Sequence, residues 1–338
     1  MEVLSLARHP LSRKSKDGMP PAPMKRRALL GGIATAALPL APSRTEALSR
    51  PTFIHGFGEG STTGVITQFA AAVVLFKVGV KPWIATVPGK QGYGAFEYFQ
   101  SGRAGDGAFL VADTMTLMLN AVRRNTVEQV LAIDPVVKFT NGISLALVAS
   151  AASGIERWND VEAVGRQRML RIGHSGRWSA SGVALGWMLP GLSPLKEVVC
   201  SGNDTVLKAV AQGEVDLAIA ITNSLPRACR DSPGLKVLAT FGAARSPHFR
   251  DVRTYAEISG DPKKAFTVSF SLFARPDSAR DDLATLTEGF SRPMPPDLLK
   301  GLDWLAPDIV VNDARTVGDT VRRDLRVAIS AARELGAS

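Results

Sequence analysis

Cysteine is scarce: the chain has two, Cys200 and Cys229, which excludes a disulfide-stapled scaffold and a cysteine-rich zinc module. The four histidines, His9, His55, His174 and His248, are scattered, and neither cysteine stands at a metal-ligand spacing, so no metal site is expected. Whether the two cysteines pair is left open, because an exported chain permits a bridge and only the Cα separation decides it. Long apolar runs are also missing. The most apolar stretch, residues 28–41, is too short and too rich in Gly, Ala and Pro for a spanning helix, which needs about 20 apolar residues.

A concentrated basic surface is lacking as well. Of the net charge of +9, +5 falls in residues 1–47, with eight Lys or Arg against three acids, which leaves +4 for the rest. That remainder shows no basic stripe interleaved with aromatics, so nucleic-acid binding is not expected. With 338 residues, 45% of them hydrophobic and 21% charged, the chain is globular and long enough for one large domain or two lobes.

What is present begins with an export signal. Lys25-Arg26-Arg27 precedes the short apolar run of residues 28–41, and small residues with Pro follow up to Ala47. The Arg26-Arg27 pair with Leu29 and Leu30 resembles the twin-arginine class. Residues 1–47 are therefore expected to be a removable signal, with Met24 an alternative start and the cleavage point undetermined.

The rest alternates strands and helices. Residues 52–55 read as a strand, Gly56 to Gly64 as a polar loop, and Val65, Ile66, Phe69, Ala72, Val73 and Phe76 as a helix ending near Gly79. Strands are expected over 83–87, 108–112, 144–150, 215–221, 236–240 and 266–274, and helices over 95–100, 205–212 and 315–335, with a break at 293–296. This order implies α/β architecture with mainly parallel sheets. Residues 144–150 and 266–274 are the segments able to carry the chain between lobes.

The stretch Gly173-His174-Ser175-Gly176-Arg177-Trp178-Ser179-Ala180-Ser181 lies between a strand ending near Ile172 and a helix carrying Val183, Ala184, Trp187 and Met188 at helical spacing. A helix start leaves N–H groups unpaired and carries partial positive charge, so a Gly/Ser loop there suits an anion; an ordinary Ser-rich cap explains the same residues. As a nucleophile elbow the loop is poor: Arg177 replaces the last Gly of G-x-S-x-G, and no Asp and His follow in order. An exported enzyme using Ser175 with His174 stays as an alternative. Gly58-x-Gly60 has Thr63 where a dinucleotide loop has its third Gly, and no cofactor is called for. Asn203 or Asp204 reads as a helix cap, and Thr222 and Asn223 follow a strand toward the same crevice, although turn formation explains them too.

Together these stretches resemble the solute-binding proteins of tripartite tricarboxylate transporters, the Bug or TctC family, from about residue 53 to 290. The most specific segment is Arg245-Ser246-Pro247-His248-Phe249-Arg250-Asp251-Val252-Arg253-Thr254-Tyr255-Ala256-Glu257, similar to the family's "RSP, then DVPT and E". Pro88-Gly89-Lys90-Gln91-Gly92-Tyr93-Gly94, Asp106-Gly107, Gly213-Glu214-Val215-Asp216 and the loop from Gly173 to Ser181 resemble further family segments in collinear order. The resemblance implies a two-lobed periplasmic binding protein of type II-like architecture with a hinge, closing like a Venus flytrap on a small organic carboxylate for membrane transporter subunits. A sensing module serving a membrane receptor is a second alternative to transport. The implied lobes are residues 50–142 with 268–338, and residues 143–267; a non-catalytic monomer is expected.

The ligand-binding residues the resemblance implies are Ser61, Thr62 and Thr63 from one lobe and Ser175, Gly176, Ser179 and Ser181 from the other. Three departures stand out: Thr63 in place of the usual Asp, Gly182 in place of His, and Cys200-Ser201-Gly202 in place of Tyr-Lys-Gly. Arg177 and Trp178 add a cation and a ring suited to a larger or aromatic acid, and Cys200, Thr222 and Asn223 complete the candidate set.

Overall fold

The structure is a computed structural model and describes residues 50–58, 60–105, 107–191, 195–292, 298 and 309–336. The expected export signal, Glu59, Asp106 and the break at 293–296 lie outside the described residues.

The chain starts with β1 (Thr52–His55), α1 (Thr62–Val78), β2 (Trp83–Thr86), α2 (Tyr93–Gln100) and β3 (Ala108–Asp113). It continues through α3 (Thr114–Arg124), α4 (Val127–Leu131) and β4 (Asp134–Thr140). Next come β5 (Leu145–Ala149), α5 (Trp158–Gln167), β6 (Leu170–His174), α6 (Ala180–Met188), β7 (Leu195–Val199), α7 (Asn203–Ala211), β8 (Leu217–Ile221), α8 (Leu225–Asp231), β9 (Lys236–Thr240) and α9 (Tyr255–Ser259). It closes with β10 (Phe270–Ala274), α10 (Arg280–Ser291), β11 (Ile309–Asn312) and α11 (Ala314–Glu334).

Two sheets result, ordered β11-β4-β10-β3-β1-β2 and β7-β6-β8-β5-β9. The α/β class stands, but the expectation of mainly parallel sheets is corrected to mixed ones. β1 pairs with β2 and β3, and β6 with β7 and β8, in parallel. β10 runs antiparallel to β3 and β4, β11 to β4, and β5 to β8 and β9. Helical crossovers keep β1 to β3 parallel. β10, arriving from the other sheet without such a crossover, enters beside β3 in the opposite sense.

Strand periodicity sorts the core. Leu145, Leu147, Leu217, Ile219 and Ile221 join one large buried cluster that also holds Phe53, Phe109, Phe139 and Phe273 of the first sheet. Ala146, Val148, Ala218 and Ala220 point to the opposite face, into a smaller cluster with Val206, Val210 and Leu225. Both faces of the second sheet are thus apolar, as strands covered on two sides require.

Two segments cross between the sheets side by side. Ile143 and Val268 exchange N–H to carbonyl bonds of 2.7 Å in both directions. Beside them Gly142 has φ of +105, and a Cβ there would stand 2.6 Å from Thr267 Oγ1. Only glycine combines that φ with so close a neighbour.

Candidate functional site

A cleft of about 480 Å³ lies where loops after strands of both sheets meet. From the first sheet, Ser61 to Thr63 supply the start of α1, and Asp113 and Thr116 the start of α3. From the second sheet, Ser175 and Ser179 to Ser181 supply the start of α6, and Gly202 and Asn203 the start of α7. Leu145, Ile219, Ile221, Val268 and Phe270 form an apolar wall, with Phe57 at its side.

Hydroxyls hold both loops in shape. Ser61 caps α1: its Oγ accepts from Gly64 N–H at 3.1 Å and donates to Gly58 carbonyl at 2.6 Å. Ser179 Oγ donates to Gly176 carbonyl at 2.8 Å, and Ser175 N–H donates to Ser181 Oγ at 3.0 Å. The hydroxyls of Thr62, Thr63 and Ser175 bond to no other group among the described residues. These hydroxyls and the first-turn N–H groups of α1 and α6 are the donors the cleft offers an anion.

The remaining candidates are not on the cleft wall. Arg177 is committed to Glu197, with Nε 3.0 Å from both carboxylate oxygens. The Arg123 guanidinium lies 4.7 Å from the Trp178 ring centroid, and the Trp178 backbone N–H donates to Gln91 Oε1 at 2.6 Å. Gly176, at φ of +117, gives the Gln91 side chain room, since a Cβ would stand 2.5 Å from Gln91 Cδ. Thr222 Oγ1 donates to Ser144 carbonyl at 2.8 Å, and Asn223 is buried beside it. Cys200 and Cys229 are both free thiols, which settles the open pairing, and burial pushes each thiol's pKa up. Asn203 and Asp204 do not cap α7. Gly202 occupies the N-cap position and its N–H donates to Thr205 Oγ1 at 3.1 Å, while Asn203 Nδ2 donates to Ser224 Oγ at 2.9 Å and its Oδ1 accepts from Ile221 N–H at 2.8 Å.

His174 is fully buried, and its Nδ1 accepts from Gly176 N–H at 3.1 Å. Its Nε2 sits 3.3 Å from Glu197 Oε2 without a well-aligned hydrogen bond. Burial lowers the imidazole pKa, and Glu197 opposes that shift. Both ring nitrogens are therefore turned to groups other than the neighbouring Ser175 hydroxyl.

Sequence reasoning missed α3, which supplies the floor of the cleft. Asp113 caps it: Oδ1 accepts from Met115 N–H at 3.0 Å and Thr116 N–H at 3.3 Å, and Oδ2 accepts from Thr116 Oγ1 at 2.5 Å. Thr116 Oγ1 also accepts from Ala180 N–H at 2.9 Å, and Asn120 Nδ2 donates to Trp178 carbonyl. The signal available was Asp followed by Thr at the third position, a cap pattern at the end of the strand over 108–112. Among the described residues no group of His, Cys, Asp or Glu is arranged to hold a metal, and no helix is long and apolar enough to cross a membrane.

A cleft bounded by helix starts from two mixed sheets defines the two-lobed fold of periplasmic binding proteins. No family model and no curated protein matches the sequence. Solved structures do match. The periplasmic binding protein BugD is similar with a TM-score of 0.71 at 15% identity, covering 85% of this chain and 98% of its own. MatC from Rhodopseudomonas palustris, with bound malate, is similar with a TM-score of 0.67 at 18% identity, covering 83% and 98%. An R. palustris protein with adipate gives a TM-score of 0.71 at 19% identity, covering 85% and 97%. BugD carries the name of the family that the sequence motifs resemble.

Proposed function

We propose that this chain is an exported solute-binding protein, acting outside the cytoplasm as a non-catalytic monomer. It captures a small organic carboxylate between two lobes and delivers it to the membrane subunits of a tripartite tricarboxylate-type transporter. The observation that carries this reading is the convergence of the α1 and α6 starts, with Thr62, Thr63 and Ser175, on one cleft from two sheets. An anion accepting from both helix starts favours the closed arrangement of the lobes, which shifts the population from open to closed. The malate and adipate bound by the solved neighbours support the ligand class. The lobes are taken as residues 50–142 with 268–338, and residues 143–267, hinged at the Ile143 and Val268 crossing. Residues 1–47 are taken as a twin-arginine signal removed on export to the periplasm.

The enzyme alternative has less support, because His174 Nδ1 accepts from Gly176 N–H rather than serving Ser175. Calorimetry and thermal shift with mono-, di- and tricarboxylates test the proposal. The expected result is a saturable shift with the acid recovered unchanged. Product formation by the pure protein, or no response to any carboxylate, would overturn it. Co-purification with carrier subunits rather than with a sensor kinase separates transport from sensing.

A further inference from the structure

A cleft for an anion is expected to offer cations, yet among the described residues no Lys, Arg or His lines this one, and the one carboxylate that does is Asp113. The Asp113 side chain is held by Met115 N–H, Thr116 N–H and the Thr116 hydroxyl, all of them neutral donors. On α11 the charged group acting on it is Asp324, a second fully buried acid bound by Arg323 and by the Thr114 hydroxyl, with Lys138 of β4 acting on Asp324 in turn. From α1 and α6 the cleft receives only hydroxyls and backbone, at Ser61 to Thr63, Ser175 and Ser179 to Ser181, from α7 the neutral Gly202 and Asn203, and from β10 the ring of Phe270. Burial foremost, with Asp324 adding to it, raises the Asp113 pKa to about 7, against the pull of its own hydrogen bonds.

A ligand carboxylate at the α1 and α6 starts is therefore brought close to a second carboxyl in a site of low polarity. Two like charges so placed exclude each other unless one is protonated. Beyond the hydroxyls and the helix starts, the wall of Leu145, Ile219, Ile221, Val268 and Phe270 offers nothing to a further charge.

Resting on the carboxylate reading above, we propose that Asp113 is a specificity-determining residue: the cleft takes a singly charged carboxylate with an apolar body, and the complex carries one proton on the Asp113 carboxyl. The proton comes from solvent and adds to Oδ2, so ionised protein, carboxylate anion and one proton give the neutral-Asp113 complex. Thr116 Oγ1 then accepts from Asp113 as well as from Ala180 N–H, using both acceptor positions of a hydroxyl. Its own hydrogen is released to face the ligand. A diacid brings a second charge to the apolar wall and is refused.

Calorimetry on the full chain tests this with three matched pairs: hexanoate against adipate, benzoate against terephthalate, and isocaproate against leucine. Hexanoate, benzoate and isocaproate are each expected to bind at least about tenfold tighter than the partner that brings a further charge, a second carboxylate or the ammonium of leucine, a difference within reach of one uncompensated buried charge. With a pKa of about 7, monoacid affinity falls roughly tenfold from about pH 6 to about pH 8. In two buffers of different ionisation enthalpy at the higher pH, the heats differ by the uptake of close to one proton. Asp113→Asn keeps a cap oxygen for α3 and is expected to lose the proton uptake and the fall in monoacid affinity between about pH 6 and about pH 8. The buffer comparison on the unmodified chain needs no variant to fold. Monoacid binding without proton uptake, adipate binding as tightly as hexanoate, or leucine preferred to isocaproate overturns the inference while the carboxylate reading stands. Binding of no acid at either pH overturns that reading and the inference with it.

Discussion

Ala180 N–H donates to Thr116 Oγ1 at 2.9 Å, so the start of α6, which follows a strand of the second sheet, is pinned to a helix that follows a strand of the first. The same hydroxyl donates to Asp113 Oδ2. Thr116→Val preserves shape and removes both bonds, leaving a buried N–H and a buried carboxyl oxygen short of a partner. A cost of about 1–3 kcal/mol is expected, seen as a lower urea midpoint and a carboxylate affinity weaker by roughly tenfold or more. Thr116→Ser is expected to retain both. An unchanged affinity in the Val variant would mean that this bond does not help hold the liganded arrangement.

Gln91 and Gly176 make a second contact between the sheets. The Gln91 side chain occupies the space where a Gly176 Cβ would lie, and its Oε1 accepts from Trp178 N–H. Gly176→Ala is expected to destabilise the chain by about 1–3 kcal/mol through the positive φ alone, with the 2.5 Å contact adding to it. Adding Gln91→Ala removes the contact but leaves the backbone strain, so urea unfolding of the double variant should recover only part of the loss. Full recovery would assign the whole effect to the contact.

What the sequence made legible follows from local physics. The strand over 236–240 matches β9, and alternation along residues 217–221 matches two-sided burial. The Gly/Ser loops stood out because helix starts need capping groups. α3 was illegible because Thr114, Thr116 and Asn120 are buried polar residues that interrupt an apolar period. Their partners, Asp324, Ala180 and Trp178, are distant in sequence. The pairing of Arg177 was illegible for the same reason: its partner Glu197 lies on the adjacent parallel strand β7, a contact that sequence spacing does not display. The antiparallel entry of β10 likewise depends on where the chain returns between sheets.

Because Arg177 is bound to Glu197 away from the cleft wall, Arg177→Ala is expected to change carboxylate affinity by less than about twofold and stability by about 0–1 kcal/mol, the range for a partly exposed pair. Its clearer effect is on His174. Burial is the main cause of that residue's lowered pKa, and the Arg177 cation adds to it. Removing the cation leaves Glu197 to act alone, so the imidazole pKa should rise, read by NMR titration. A large loss of affinity with no movement of the His174 titration would instead place Arg177 in contact with the ligand.

Asp113 gives the unliganded chain a pH signature of defined sign. Its pKa is raised to about 7 by burial and by Asp324, while in the unfolded chain it returns to about 4. Between those values the folded state holds a proton that the unfolded state has lost. The contribution is therefore fully present below about pH 4 and is lost as pH rises through about 7. Its total is on the order of a few kcal/mol. Asp113→Asn removes the titrating group and keeps a cap, so the urea midpoint of the parent chain should fall relative to the variant as pH rises, then run level above about pH 7. Asp324 shifts in the same direction and is common to both proteins, so the difference between the two curves reports Asp113 together with its repulsion of Asp324. Parallel curves would show that Asp113 ionises when folded as it does in water. The cleft would then carry a fixed negative charge, and any anion entering it would have to be matched by a cation of its own.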